Sequence, residues 1–241
     1  MLWNGFRSEE FEFEGFRSVV VFPEKHIKKP TLIIKTEYWA AFPETEIELL
    51  KQGYYLAFIT NANRWGTDDD LNRKARFVKY VINKYDLNDK CVPVGMSCGG
   101  LIAVKFAAKF PDLVACIYID APVINYMSCP CGFGIGVRSD DENFSEILGA
   151  LNLDSISQLI CYRDMPQDRI PDLINNRIPV VMVAGDSDII VPYIENGILI
   201  EKAYKQTDID IEIRIKEGCN HHPHGLDDPT PVIEFISKHL Y

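Results

Sequence analysis

No stretch of this sequence approaches the roughly 18 consecutive apolar residues that a membrane-spanning helix needs, so no membrane span is expected. Basic residues are also in short supply: 25 Lys and Arg stand against 35 Asp and Glu, a net charge of −10, and no basic run is present. A surface of that sign repels phosphate backbones and anionic lipid, which removes nucleic acid and anionic membranes from the expected partners. The opening Met1-Leu2-Trp3-Asn4-Gly5-Phe6-Arg7-Ser8-Glu9-Glu10 lacks the charged and apolar regions of a signal peptide. A cytoplasmic location is the resulting expectation, a secretion signal already removed being the alternative. Paired cysteines are missing as well. The seven cysteines are an odd number, and Cys91, Cys116 and Cys161 lie in apolar segments, which suits buried thiols in a reducing compartment. Only Cys129 and Cys131 are close together, and their Cys-Pro-Cys spacing lacks the second pair of a zinc site, so they read as a structural loop. No repeat or low-complexity linker divides the 241 residues, which at 47% hydrophobic content are expected to form one domain with a sizeable core.

What is there alternates strand with helix. Residues 10 to 22 alternate apolar and polar through Phe11, Phe13 and Phe16 and end in Val19-Val20-Val21-Phe22, which predicts an antiparallel hairpin. Thr31 to Lys35 is a β-branched run, and Pro43 to Gln52 has helical spacing closed by Gly53. Tyr54 to Thr60 reads as the next strand and Asp68 to Tyr85 as a long amphipathic helix. Asp68, Asp69 and Asp70 in its first turn complement the helix dipole and are read as capping charges rather than metal ligands. Strand Cys91 to Val94, helix Gly99 to Phe110 and strand Val114 to Ile119 follow, with Asp120 at the last strand's end. The repetition predicts an α/β protein with a mostly parallel central sheet and helices on both faces. From 121 to 178 the alternation stops. Short helices are expected at Glu146 to Leu151 and Ile156 to Tyr162, and an insertion of this size reads as a cap over the carboxyl ends of the strands, a packing elaboration being the alternative. Strand Pro179 to Ala184, helix Pro192 to Lys205, strand Ile209 to Ile215 and helix Pro231 to His239 complete the chain.

Three short stretches carry chemistry. Val92-Pro93-Val94-Gly95-Met96-Ser97-Cys98-Gly99-Gly100 joins a buried strand to an apolar helix through a glycine-flanked serine, the setting of a nucleophile elbow. Gly95 and Gly99 supply small residues where strand and helix crowd the backbone, and the N–H of Cys98 opens the helix facing a developing oxyanion. A serine hydroxyl needs a histidine to take its proton, and the imidazole needs a carboxylate to hold its tautomer. Both lie downstream, in Gly185-Asp186-Ser187-Asp188-Ile189-Ile190-Val191-Pro192 and in Asn220-His221-His222-Pro223-His224.

In that order of Ser, Asp and His the sequence resembles the α/β-hydrolases over nearly its whole length. The resemblance implies an α/β-hydrolase fold with the cap inserted between the sixth and seventh strands, and a serine hydrolase acting on a small-molecule carboxylic ester. It names Ser97 as nucleophile, Asp188 as acid and His221 as base. Asp186, in the same loop, and Asp120, from whose position some members supply their acid, remain rivals, as do His222 and His224. The second oxyanion donor is expected after strand Thr31 to Lys35, from the backbone N–H of Glu37 or Tyr38. Here the chain departs from the usual His-Gly, having Thr36-Glu37-Tyr38-Trp39. Tyr38, Trp39 and Trp65 are candidates for lining the pocket or packing beneath it. The clustered histidines invite a metal reading, but Pro223 interrupts them and only Cys219 and Asp227 accompany them, so neither metal nor cofactor is expected. Family breadth admits a short acyl ester on a sugar, a peptide or amide bond cleaved by the same triad, or a binding protein that kept the fold and lost the activity.

Overall fold

The computed structural model describes residues 1–240, and its frame is one sheet of nine strands. Three antiparallel strands come first: β1 (Leu2–Trp3), β2 (Phe6–Phe13) and β3 (Phe16–Val21). The hairpin register sets Phe13 opposite Phe16 and Ser8 opposite Val21. Then come β4 (Leu32–Lys35), α1 (Glu44–Gln52), β5 (Tyr55–Ile59), α2 (Asp68–Tyr85), β6 (Cys91–Met96), α3 (Cys98–Lys109) and β7 (Ile117–Asp120). After α4 (Asp141–Ala150), α5 (Ile156–Cys161) and α6 (Ile170–Asn175), the chain resumes with β8 (Val180–Gly185), α7 (Gly197–Tyr204), β9 (Ile211–Lys216) and α8 (Thr230–Lys238). Spatial order is β1-β2-β3-β5-β4-β6-β7-β8-β9. Strands from β5 to β9 are parallel to one another, and β3 meets β5 antiparallel.

Strands β4 to β8 are buried along their whole length because helices cover both faces, which is why they read as unbroken apolar runs instead of alternating ones. On one face Leu71, Ala75, Val78 and Ile82 of α2 pack in one core with Leu101, Ile102 and Phe106 of α3. On the other, Leu49 and Leu50 of α1 join Val232, Phe235 and Ile236 of α8. Gly53 ends α1 at φ 108°, returning its N–H to the carbonyls of Leu49 and Leu50. No helix among the described residues is long and apolar enough to cross a membrane.

Three expectations change. Leu2–Trp3 adds a strand ahead of the hairpin, so residues 121 to 178 lie between β7 and β8, the seventh and eighth in the chain. The helix expected over 192 to 205 is broken: a short turn at Tyr193–Glu195 stops at Asn196, whose side chain accepts the N–H groups of Ile124 and Asn125, both at 3.0 Å. Asp70 does more than balance a dipole. Buried, it accepts the amides of Ala62 and Asn63 and pairs with Arg73, holding the loop before α2 in place.

Candidate functional site

The site is built at the carboxyl ends of β4, β6, β7, β8 and β9. Ser97, between β6 and α3, has φ 53° and ψ −121°, a backbone state that side chains other than glycine rarely adopt. Its N–H donates to Asp120 O at 2.9 Å and its carbonyl accepts from Val123 at 3.1 Å, so the turn is held from β7. A Cβ on Gly95 would collide with the Gly99 carbonyl and Thr36 Oγ1, and one on Gly100 would sit 2.6 Å from Pro122 Cβ. The elbow closes only because these positions are bare. Thr36 Oγ1 lies 2.7 Å from Gly99 O and 3.1 Å from Val94 O, tying the loop after β4 to the same turn.

His221 reaches this serine: Nε2 is 3.1 Å from Ser97 Oγ, and Nδ1 is 2.7 Å from Asp188 Oδ2. Asp188 Oδ1 accepts the N–H groups of Ile190 and Val191, each at 2.8 Å. Burial pushes the Asp188 carboxyl up, but the bond from His221 and the two amides outweigh it and hold the group below its usual range, ionised. Asn220 Oδ1 accepts from both Ile189 N and His221 N, at 3.1 and 2.7 Å, locking the acid loop to the histidine loop.

The rivals are spoken for. Asp186 accepts from Gly218 N and Ser187 Oγ at 2.8 and 2.9 Å and faces solvent. Asp120 is bound to His224 Nδ1 at 2.7 Å and to Gly225 N at 2.6 Å, both side chains buried. His222 is exposed and its ring lies parallel to that of Phe42, 5.7 Å away. Partial burial and the neighbouring His221 and His224 lower its pKa.

A cavity of about 250 Å³ opens at Ser97, lined by Tyr38, Ala41, Phe42, Met96, His221, His222 and His224. Cys98 opens α3, where amides have no partner within the helix, and the Glu37 amide nitrogen lies against Gly99 in the same turn. The Tyr38 amide donates to Glu37 Oε1 at 3.1 Å, so an oxyanion there would have to displace a carboxylate. Trp39 stacks on Phe58 at 5.4 Å and Trp65 is buried edge-on to Tyr126, so both indoles pack. The Cys98 thiol is pushed up to about 11 by burial, and burial with Cys98 alongside raises the Tyr38 phenol while Arg64 opposes that rise. Arg64 is held in turn by Asn143 and by Glu146, at 2.5 Å, on α4. None of the cavity-lining residues falls within 121–178, whose α6 packs against α3. Phe42, Arg64, Asn220 and the Asp120–His224 pair escaped the sequence reading, and only the second Asp–His pair left a residue-type signal there.

No family model matches the chain. Among solved structures it is similar to Pyrococcus horikoshii acylaminoacyl peptidase, with TM-score 0.70 and 13% identity over 90% of this chain and 37% of that one. An acylaminoacyl peptidase in complex with Z-Gly-Gly-Phe-chloromethyl ketone gives TM-score 0.73 and 15% identity over 98% and 42%. The chain thus spans less than half the length of these peptidases. Est1E from Butyrivibrio proteoclasticus is matched over 96% of both chains, with TM-score 0.66 and 17% identity. Sheet order, the elbow between β6 and α3 and these likenesses together give the chain the α/β-hydrolase fold.

Proposed function

We propose that this chain is a serine hydrolase that cleaves a carboxylic ester through an acyl-Ser97 intermediate, with His221 as base and Asp188 as its partner. The observation that carries the reading is the pair of hydrogen bonds running Ser97 Oγ to His221 Nε2 to Asp188, at 3.1 and 2.7 Å. An ionised Asp188 accepts from Nδ1–H, which leaves the Nε2 lone pair facing the serine. As Oγ attacks the ester carbonyl, its proton passes to Nε2, and the resulting imidazolium gives that proton to the departing alkoxide. Water then repeats the sequence on the acyl-enzyme. The N–H of Cys98 is the first candidate for stabilising the oxyanion, and that of Glu37 the second. No step uses a cofactor.

The small cavity, walled by Tyr38, Ala41, Phe42 and Met96, suits a short acyl group, and an acylated sugar is one substrate of that kind. Likeness to Est1E over 96% of both chains supports a single α/β-hydrolase domain. Likeness to acylaminoacyl peptidases favours a second reading, amide or peptide cleavage on the same residues. We read 121–178 as a cap that acts at a distance, through Glu146 on Arg64, within the single domain. Seven unpaired cysteines support a reducing compartment such as the cytoplasm.

A fluorophosphonate probe tests the reading. Wild-type protein should be labelled and Ser97→Ala should not, while both keep the same far-UV spectrum. Folded wild type that resists the probe and turns over neither activated short-chain esters nor aminoacyl amides would make this a binding module. A ratio of ester to amide turnover decides between the two hydrolase readings.

A further inference from the structure

Two separate carboxylate–imidazole pairs meet at one cavity wall, and one of them is surplus to the proposed mechanism. His221 and His224 are buried, and each has Nδ1 bound at 2.7 Å to an aspartate, Asp188 and Asp120 respectively. That pattern fixes both tautomers alike and turns both Nε2 atoms outward. Between them stands His222, and the three ring centroids are each 4.9 Å apart, with interplanar angles of 63°, 80° and 90°. The rings therefore converge at steep angles rather than stack. One ring nitrogen from each lies within 4.8 Å of the other two. A tetrahedral zinc ion with Zn–N bonds of about 2.05 Å holds its nitrogens about 3.3 Å apart, so these three must draw closer together to hold one. Histidine ligands of zinc commonly donate their second N–H to a carboxylate, and two of these three already do. All three rings line the cavity at Ser97, so an ion has an entry path.

We propose that His221, His222 and His224 form a three-imidazole site for a zinc-type divalent cation, and that its occupancy switches the hydrolase off. The inhibitory half rests on the serine-hydrolase reading above; the binding half does not. An ion on His221 Nε2 takes the lone pair that would accept the Ser97 proton, and it lies where the substrate carbonyl must enter. Two buried carboxylates behind the rings offset its charge. The ion's fourth position faces the cavity and is left to water or to Ser97 Oγ.

Calorimetric titration of the full chain with zinc chloride, in chelator-free buffer, tests the site itself. One ion per chain is expected, with affinity falling at least tenfold in His222→Ala and in His224→Ala. Asp120→Asn, which leaves every ligand in place, should weaken binding by about 10- to 100-fold. Cys161 and Cys219 are the thiols not buried, so the titration is repeated with both as serine. Uptake that survives the histidine variants but vanishes with the thiols overturns the site. For the second half, each variant's ester rate is compared with and without zinc. Wild type should lose most of its rate and regain it with EDTA, and the His222→Ala ratio should move towards one. Zinc that binds without changing the wild-type rate, or raises it, overturns the inhibition and leaves the site standing. If no ester is hydrolysed and no fluorophosphonate label is taken up, the hydrolase reading fails while the titration still judges the site.

Discussion

At the scale of single residues, the site is decided by which acid meets which histidine. The acid loop and the end of β7 each hold a buried aspartate, and each binds a different imidazole. Only His221 also reaches Ser97. Asp188→Asn should therefore lower kcat on the order of 10⁴-fold, as a wrong imidazole tautomer does. Asp120→Asn should cost far less, and the reverse ranking in steady-state assays would move the acid to β7. Ser97 itself sits at φ 53°, where a non-glycine residue carries on the order of 1–3 kcal/mol of strain. Ser97→Gly should be as inactive as Ser97→Ala yet melt at a higher temperature. An unchanged or lower Tm would mean that the turn is relaxed with a side chain present.

At the scale of elements, helices whose apolar spacing has a single meaning were legible, and α2 has the bounds its pattern predicts. Where a side chain is recruited from outside the element, the pattern misleads. Asn196 breaks the helix expected over 192 to 205 ahead of α7 because its side chain satisfies two amides 71 and 72 residues away. A helix can also carry a charge its pattern does not explain. Lys74 on α2 is fully buried, and desolvation pulls its pKa from 10.5 down to about 7, against the favourable field of Glu37. The unfolded chain then holds the extra proton between those limits, so stability should rise as pH climbs from about 7 to 10.5. Below that window both states are protonated and the penalty is complete. Lys74→Met should flatten the rise and be the more stable protein at pH 6, as judged by denaturant melts at pH 6 and 9.5. Parallel pH profiles for the two proteins would show that the ammonium stays charged where it is.

For the whole molecule, the question is whether residues 121–178 influence a cavity that they do not line. They touch the site's surroundings at several points: the Val123 N–H donates to the Ser97 carbonyl, the Val137 N–H donates to the Ile189 carbonyl in the acid loop, and Glu146 pairs with Arg64, which in turn stands beside Tyr38 and Cys98. Glu146→Gln should free the guanidinium towards the cavity and raise kcat/KM for anionic acyl groups relative to neutral ones, with little change in Tm. Equal losses for all substrates, together with a lower Tm, would instead assign the insertion to packing.

Read by itself, the sequence determined the layered α/β architecture, the elbow, and the serine, aspartates and histidines that gather there. Those features are written in local signals: apolar runs that must be buried on both faces, glycines where backbones touch, and short loops that follow strands. Pairing is not written in those local signals. By residue type alone, Asp120, Asp186 and Asp188 offer nine combinations with His221, His222 and His224, and only the resemblance to the α/β-hydrolases put Asp188 with His221. Packing β7, β8 and β9 side by side set two aspartates under two imidazoles, Asn220 tied the Asp188 loop to the His221 loop, and only His221 reaches Ser97. The convergence of three rings at 4.9 Å likewise belongs to the tertiary structure, because carboxylates behind His221 and His224 and the Phe42 ring beside His222 set ring direction, not spacing along the chain.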